Sequence, residues 1–292
     1  MSADDRYRIA ASGIAATIKA EGAELCSLTD AAGREFLWQA GPAWPRHAPV
    51  LFPIVGRLAG DALRLGGRSY TLGQHGFARD RRFALAERDA TVCRFVLTDD
   101  AATREVFPFA FRLEVTYAVA GDTLTIGYAL DNPAGTVLHA SFGAHPAFRW
   151  PLREGVAKDA HVLEFALPEP APIRRLDGGL LRAERFPSPI EGNILRLNES
   201  LFADDAIILD EVASPAVQFR APGGPGVEVM WHGFRQLGLW SKPQGDFLCI
   251  EPWCGHADPA GFAGDFTDKP GLLHIPPGGR AEAELSVRLL PT

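Results

Sequence analysis

Residues 112–130 restrict the fold of this chain more than any other stretch. Leu113, Val115, Tyr117 and Val119 alternate with other residues, Gly121-Asp122 breaks the run, and Leu124, Ile126, Tyr128 and Leu130 alternate again. A period of two places every second side chain on one face, so the segment is expected to form an antiparallel hairpin with one buried side. Comparable runs separated by turn residues recur along the chain. Residues 14–28 with residues 36–38 predict three short strands, residues 63–72 a hairpin about Gly66-Gly67, and residues 137–142 a further strand. Residues 227–231 and 237–240 follow the same pattern, and residues 281–289 close the chain on an alternating strand. No window longer than about a dozen residues has helical periodicity. The expected class is all-β, a large antiparallel sandwich built as one domain from residues 1–292, since no linker or repeat divides the sequence.

A chain of 292 residues, 47% of them hydrophobic, can bury a large core. No apolar run approaches the roughly 20 residues of a membrane span, and the opening MSADDRYRIA lacks the charged-then-apolar order of a signal peptide, so a soluble cytoplasmic protein is expected. Cys26, Cys93, Cys249 and Cys254 have no framework spacing and are read as reduced thiols. Cys254 and His256 are the one tight pair of potential metal ligands; without CxxC or HExxH to complete it, no metal is expected. A net charge of −7 argues against nucleic acid as the main partner. Residues 46–82 nevertheless hold seven arginines against two aspartates, a local field that could attract an anion such as a phosphate. With 25 Arg and four Lys overall, arginine is also simply the default cation here, which explains the cluster as a whole better than a ligand does.

Two strand ends carry the candidate chemistry. Phe247-Leu248-Cys249-Ile250 has the composition of a buried strand and runs into Glu251, with Pro252 expected to stop regular pairing. A carboxylate so placed is either neutralised by a cation or has raised proton affinity and can act as a base, and Trp253 beside it offers a flat apolar wall of the kind sugar rings lie against. The strand over residues 137–142 delivers His145 ahead of Pro146 in the same manner, so the two strand ends could face one cleft. Between them, Pro42, Pro45, Pro49 and Pro53 predict a long irregular loop, with Arg57 at the edge of a cleft. Residues 73–80 interleave Gln74, His75 and Arg79 with Gly76 and Phe77 and resemble a binding loop. Residues 168–191 are expected to be an exposed excursion, and residues 222–226 a plain connection rather than a phosphate loop.

With those pieces in place the chain resembles the aldose 1-epimerase (galactose mutarotase) superfamily, especially its bacterial branch related to hexose-6-phosphate mutarotases. The likeness rests on PVLFPIVGRL (residues 49–58), QHGFARD (74–80), SFGAHPAF (141–148) and IEPWCG (250–255), in order and spread across most of the chain. It implies a β-supersandwich, no cofactor, and a histidine and a glutamate acting as acid and base on an aldose. Carried onto this sequence, His145 matches the acid, Glu251 the base and His75 a second active-site histidine. Arg57, Gln74 and Arg79 match positions that hold the sugar or its phosphate. An aspartate before a strand is also implied, for which Asp205 is chosen over its neighbour Asp204.

Two other classes compete. A carbohydrate-binding or sensing protein on the same fold has no need of a matched acid and base. A glycoside hydrolase usually needs two carboxylates, and no GxSxG elbow is present for other hydrolytic chemistry. The expected ligand is a small sugar or sugar phosphate.

Overall fold

In a computed structural model, described for residues 5–291, the chain is built almost entirely from antiparallel strands. The 112–130 hairpin forms in the expected register, Ala120 opposite Thr123 and Arg112 opposite Asp131. It sits inside a nine-stranded sheet whose order is Ile194–Arg196, Val162–Phe165, Ala216–Arg220, Gly226–His232, Arg280–Leu290, Thr123–Asp131, Arg112–Ala120, Val92–Thr98 and Ala84–Arg88. Among the described residues one α-helix is present, Ala101–Val106, closed at its start by a capping box between Asp100 and Thr103. Among the described residues no helix is long and apolar enough to cross a membrane.

The opposite layer is a six-stranded sheet. Ile207–Leu209, Gln236–Trp240, Phe247–Cys254, Phe142–Ala144 and Val50–Leu51 follow one another, and Ala147–Arg149 pairs with Phe247–Cys254 beyond the end of Phe142–Ala144. Leu237, Leu239, Leu248, Ile250 and Phe142 point into the main core with Leu113, Val115, Leu285 and Val287 of the nine-stranded sheet. Alternation leaves the other face of the six-stranded sheet to carry the site. A three-stranded sheet, Arg6–Ala10, Ile14–Lys19 and Glu24–Asp30, completes this layer, tied to the large sheet where the buried Tyr117 hydroxyl donates to Ala23 O at 2.6 Å.

Four expectations need correction. Residues 36–38 form no strand: Glu35 Oε1 accepts from Leu28 N and Leu37 N at 2.8 and 2.9 Å, so a side chain takes donors that a ladder would use. The strand expected over residues 137–142 is two, Leu138–Ala140 and Phe142–Ala144, in different sheets; the switch falls at Ser141, whose N–H donates to Pro53 O. Pro252 does not end its strand, which continues to Cys254. Residues 168–191 are not a simple exposed excursion, since Glu169, Ile173 and Leu181 are buried and a small hairpin, Leu176–Asp177 with Leu180–Leu181, folds back beside the site.

Candidate active site

The strand Phe247–Cys254 organises the site. Leu248, Ile250 and Cys254 enter the core, so Phe247, Cys249, Glu251 and Trp253 share the other face. Along one side of this strand the neighbour is interrupted: Ala147–Arg149 pairs as far as Cys249, Phe142–Ala144 resumes at Trp253, and His145-Pro146 fills the gap. Ile250 N reaches Pro146 O across it at 3.3 Å. Two residues on, Pro252 faces the same side, where the ladder is already broken, so its missing N–H costs no pairing. Trp253 lies flat across the neighbouring strands because both carry glycine beneath it. A Cβ on Gly143 would come within 2.6 Å of the indole, and one on Gly238 within 2.3 Å.

Glu251 and His145 open into one cavity of about 320 Å³, large enough for a monosaccharide. His145 Nε2 lies 3.2 Å from Glu251 Oε2, yet the approach is not aligned as a hydrogen bond and leaves that oxygen without a partner. Aromatic rings fix the imidazole. Trp44 stacks on it at 4.9 Å and 24°, while Trp240 and His75 meet it edge-on at 5.8 and 5.6 Å.

His75 sits in the left-handed region with φ 65°, followed by Gly76 at φ 68°, where a Cβ would lie 2.3 Å from Phe52 O. That turn presents His75 Nδ1 to the Gly56 N–H at 3.1 Å, so the neutral ring carries its hydrogen on Nε2. Burial first, then the charges of His145, Arg79 and Arg46, hold its pKa well below the usual histidine value. Gln74 and Arg79 line the same wall; Arg79 Nη2 donates to Gln74 O at 2.6 Å, and its Nε has no hydrogen-bond partner. Across the cavity Asp205, also left-handed at φ 65°, accepts from Ala206 N at 2.8 Å and is the aspartate that lines the space. Asp204 does not line it.

Burial decides the charge of the central pair. It pushes the Glu251 carboxyl well above the usual carboxylate range, and Asp205 adds to this. The Trp253 indole pulls the other way but makes no aligned hydrogen bond, so its influence is the weaker one. His145 is pushed down to about 3, again by burial first, with Arg79 and Arg46 lowering it further. Burial thus disfavours the charged form of each group, pushing the carboxyl up and the imidazole down.

Arg57 is not in the cavity. Its guanidinium forks onto Asp61 at 2.7 and 2.8 Å, four residues along, and turns to the surface. Arg46 and Arg82 are likewise taken by Asp80 and Asp5, so Arg79 is the member of the arginine cluster that lines the space. Cys254 and His256 do not form a ligand pair either, because Cys254 Sγ faces Gly233 O and His256 Nδ1 faces Ala257 O at 2.7 Å. The metal-capable set among the described residues is instead His145, Cys249 and Glu251, with ligand atoms mutually within 4.8 Å. Sequence reasoning missed Trp44, Trp240 and Leu176, all lining the cavity. Trp44 stands alone among prolines, and an indole in such a loop is the signal that was available.

A model of the aldose 1-epimerase family matches residues 5–270. The chromosomal LacX protein of Lactococcus lactis is 32% identical over 284 residues, covering 93% of this chain and 95% of that protein. The crystal structure of a galactose mutarotase related enzyme from Lactobacillus acidophilus superposes with TM-score 0.91 at 33% identity over 98% of both chains. A galactose mutarotase-like protein from Lactobacillus casei does so with TM-score 0.90 at 30% identity, over 97% of this chain and 99% of that one. The chain belongs to the aldose 1-epimerase family.

Proposed function

We propose that the protein is a mutarotase that interconverts the α and β anomers of a free aldohexose, with Glu251 and His145 exchanging one proton through the sugar. Opening a pyranose requires a base at the anomeric hydroxyl and an acid at the ring oxygen, two atoms bonded to the same carbon. Groups 3.2 Å apart and not bonded to each other can serve both. Glu251 as carboxylate takes the hydroxyl proton while protonated His145 delivers one to the ring oxygen. The products are an open-chain aldehyde, a protonated Glu251 and a neutral His145. After rotation about the bond to the aldehyde carbon the same transfers run in reverse and close the ring on the other face. Burial favours the neutral pair, which is the form that accompanies the open chain. His75 donates from Nε2, the Arg79 guanidinium lines the cavity as a cationic donor, and Gln74 and Asp205 hold hydroxyls. No redox group or metal is required for these transfers.

The carrying observation is the His145–Glu251 pair, 3.2 Å apart in a monosaccharide-sized cavity walled by indoles. A free sugar is favoured over a 6-phosphate because one arginine, Arg79, shares the lining with Glu251 and Asp205 while Arg57 is held by Asp61. Polarimetry on freshly dissolved α-D-glucose and α-D-galactose tests the activity: the approach to the unchanged final rotation accelerates for a mutarotase and does not for a binding protein. Repeating it with glucose 6-phosphate at two ionic strengths tests the substrate. Preference for the phosphate that fades with salt would overturn the free-sugar assignment.

A further inference from the structure

We propose that His145, Cys249 and Glu251 form a Zn²⁺ site that closes the sugar cavity when the ion is bound. The three offer nitrogen, sulfur and oxygen donors, a combination suited to zinc rather than to magnesium or calcium, which prefer oxygen ligands alone. Cys249 and Glu251 are alternate residues on one face of the Phe247–Cys254 strand, and His145 enters from the gap in the strand beside it, held by the strands that flank the gap. Zinc bonds of about 2.0–2.1 Å to nitrogen and oxygen give a tetrahedral edge of roughly 3.3 Å. The His145–Glu251 separation of 3.2 Å matches, while the thiol, within 4.8 Å of both, moves inward on binding to reach the edge of roughly 3.6 Å that a zinc–sulfur bond of about 2.3 Å sets. Glu251 Oε2 is buried without a hydrogen-bond partner, an oxygen free to accept a cation. Ala147, Phe247, Trp44 and Trp240 surround the thiol with apolar atoms, which limits competition from water.

Zinc takes thiolate, carboxylate and neutral imidazole as ligands, so it competes with protons for all three and affinity rises with pH. The consequence for turnover rests on the mutarotase assignment: the ion occupies both groups that would carry the proton, so zinc acts as an inhibitor that competes with sugar.

Co²⁺ titrated into the purified protein reads the site independently of turnover. We expect one equivalent to bind with a thiolate-to-cobalt band in the near ultraviolet and tetrahedral bands in the visible, displaced by Zn²⁺ and untouched by Mg²⁺. In Cys249→Ala the thiolate band disappears and the apparent zinc affinity falls by more than about 100-fold, since even an outer partner of a ligand is worth 10–100-fold. If Cys249→Ala fails to fold, Glu251→Gln serves, with weakened visible bands and the thiolate band retained. Absence of a thiolate band in the wild type, or its persistence in Cys249→Ala, overturns the proposal by moving the sulfur ligand to another cysteine or to none. Polarimetry then compares each variant with and without Zn²⁺ and after EDTA; the ratio should fall with zinc in the wild type and stay level in Cys249→Ala. A protein that shows the cobalt bands but never mutarotates any sugar would refute the function and leave the metal site standing.

Discussion

Two glutamates are buried to the same depth, Glu24 and Glu251 each 1% exposed, and they live in opposite circumstances. Glu24 is saturated. Its Oε1 accepts from His47 N at 2.7 Å and Ala48 N at 3.0 Å, and its Oε2 faces the Lys19 ammonium. Glu251 has one unaligned neighbour, His145, and an oxygen with no partner. Burial alone thus says little about what a carboxyl is for; the unspent bonding capacity does. The two are also linked mechanically. Glu24 pins the chain at residues 47–48, Ala147 N donates to His47 O, and Trp38 Nε1 donates to Trp44 O, so the saturated glutamate anchors the loop whose indole stacks on the imidazole facing the unsaturated one.

The largest effect expected from breaking this contrast is kinetic. Glu251→Gln keeps the shape and removes the proton acceptor, so mutarotation measured by polarimetry should fall by about 10²- to 10⁴-fold while the thermal midpoint is kept or raised. Retained activity in a folded Glu251→Gln protein would remove the glutamate from the chemistry altogether.

Glu24→Ala should do the reverse, acting first on stability. Two backbone N–H groups lose their acceptor, at about 1–3 kcal/mol each, and Lys19 loses its counter-charge. A loss of about 2–5 kcal/mol in urea unfolding is expected. The catalytic rate per folded molecule should fall far less than in Glu251→Gln.

Titration sharpens the contrast further. The folded Glu251 carboxyl keeps its proton to well above its ordinary 4.5, so its contribution to stability is full below that pH and is lost as pH rises. Relative to Glu251→Gln, the wild type should weaken above pH 4.5 by up to about 1.4 kcal/mol per pH unit until the folded carboxyl ionises. His145 runs in the other direction. Its folded pKa of about 3 lies below its ordinary 6.5, so its contribution is full above 6.5 and is lost as pH falls toward 3. Unfolding of wild type, Glu251→Gln and His145→Asn across pH 3 to 8 checks both slopes, and parallel curves would mean that neither group is shifted.

What could be seen in the sequence divides along the same physical line. The 112–130 hairpin was legible because alternation and turn are local, and its partners are adjacent in the chain. Glu251 and His145 stood out because each ionisable residue follows an apolar run and precedes a proline, and the family likeness supplied their pairing. The role of Trp44 was not legible, because its position depends on Glu24, twenty residues earlier, and on a strand a hundred residues later. The split at Ser141 was hidden for a similar reason: apolar composition does not say which sheet a residue joins, and Pro53 O decides it.

The finest test concerns two arginines that the family likeness placed together and the fold separates. Arg79 lines the cavity, with its Nη2 on Gln74 O and its Nε 3.7 Å from Asp80, and Arg57 spends its fork on Asp61 at the surface. A hydrogen bond from a charged donor to a sugar hydroxyl is worth about 1.5–3 kcal/mol, so Arg79→Ala should raise KM for a free aldose roughly tenfold or more. Arg57→Ala should leave kcat and KM unchanged, because an exposed ion pair with a neighbour four residues away contributes little and touches no ligand. An aspartate four residues after an arginine was visible in the sequence, and it marks the guanidinium as already occupied. A matching rise in KM for both variants would mean that Arg57 leaves Asp61 when sugar arrives, and the separation of the two arginines by the fold would not carry over to the bound state.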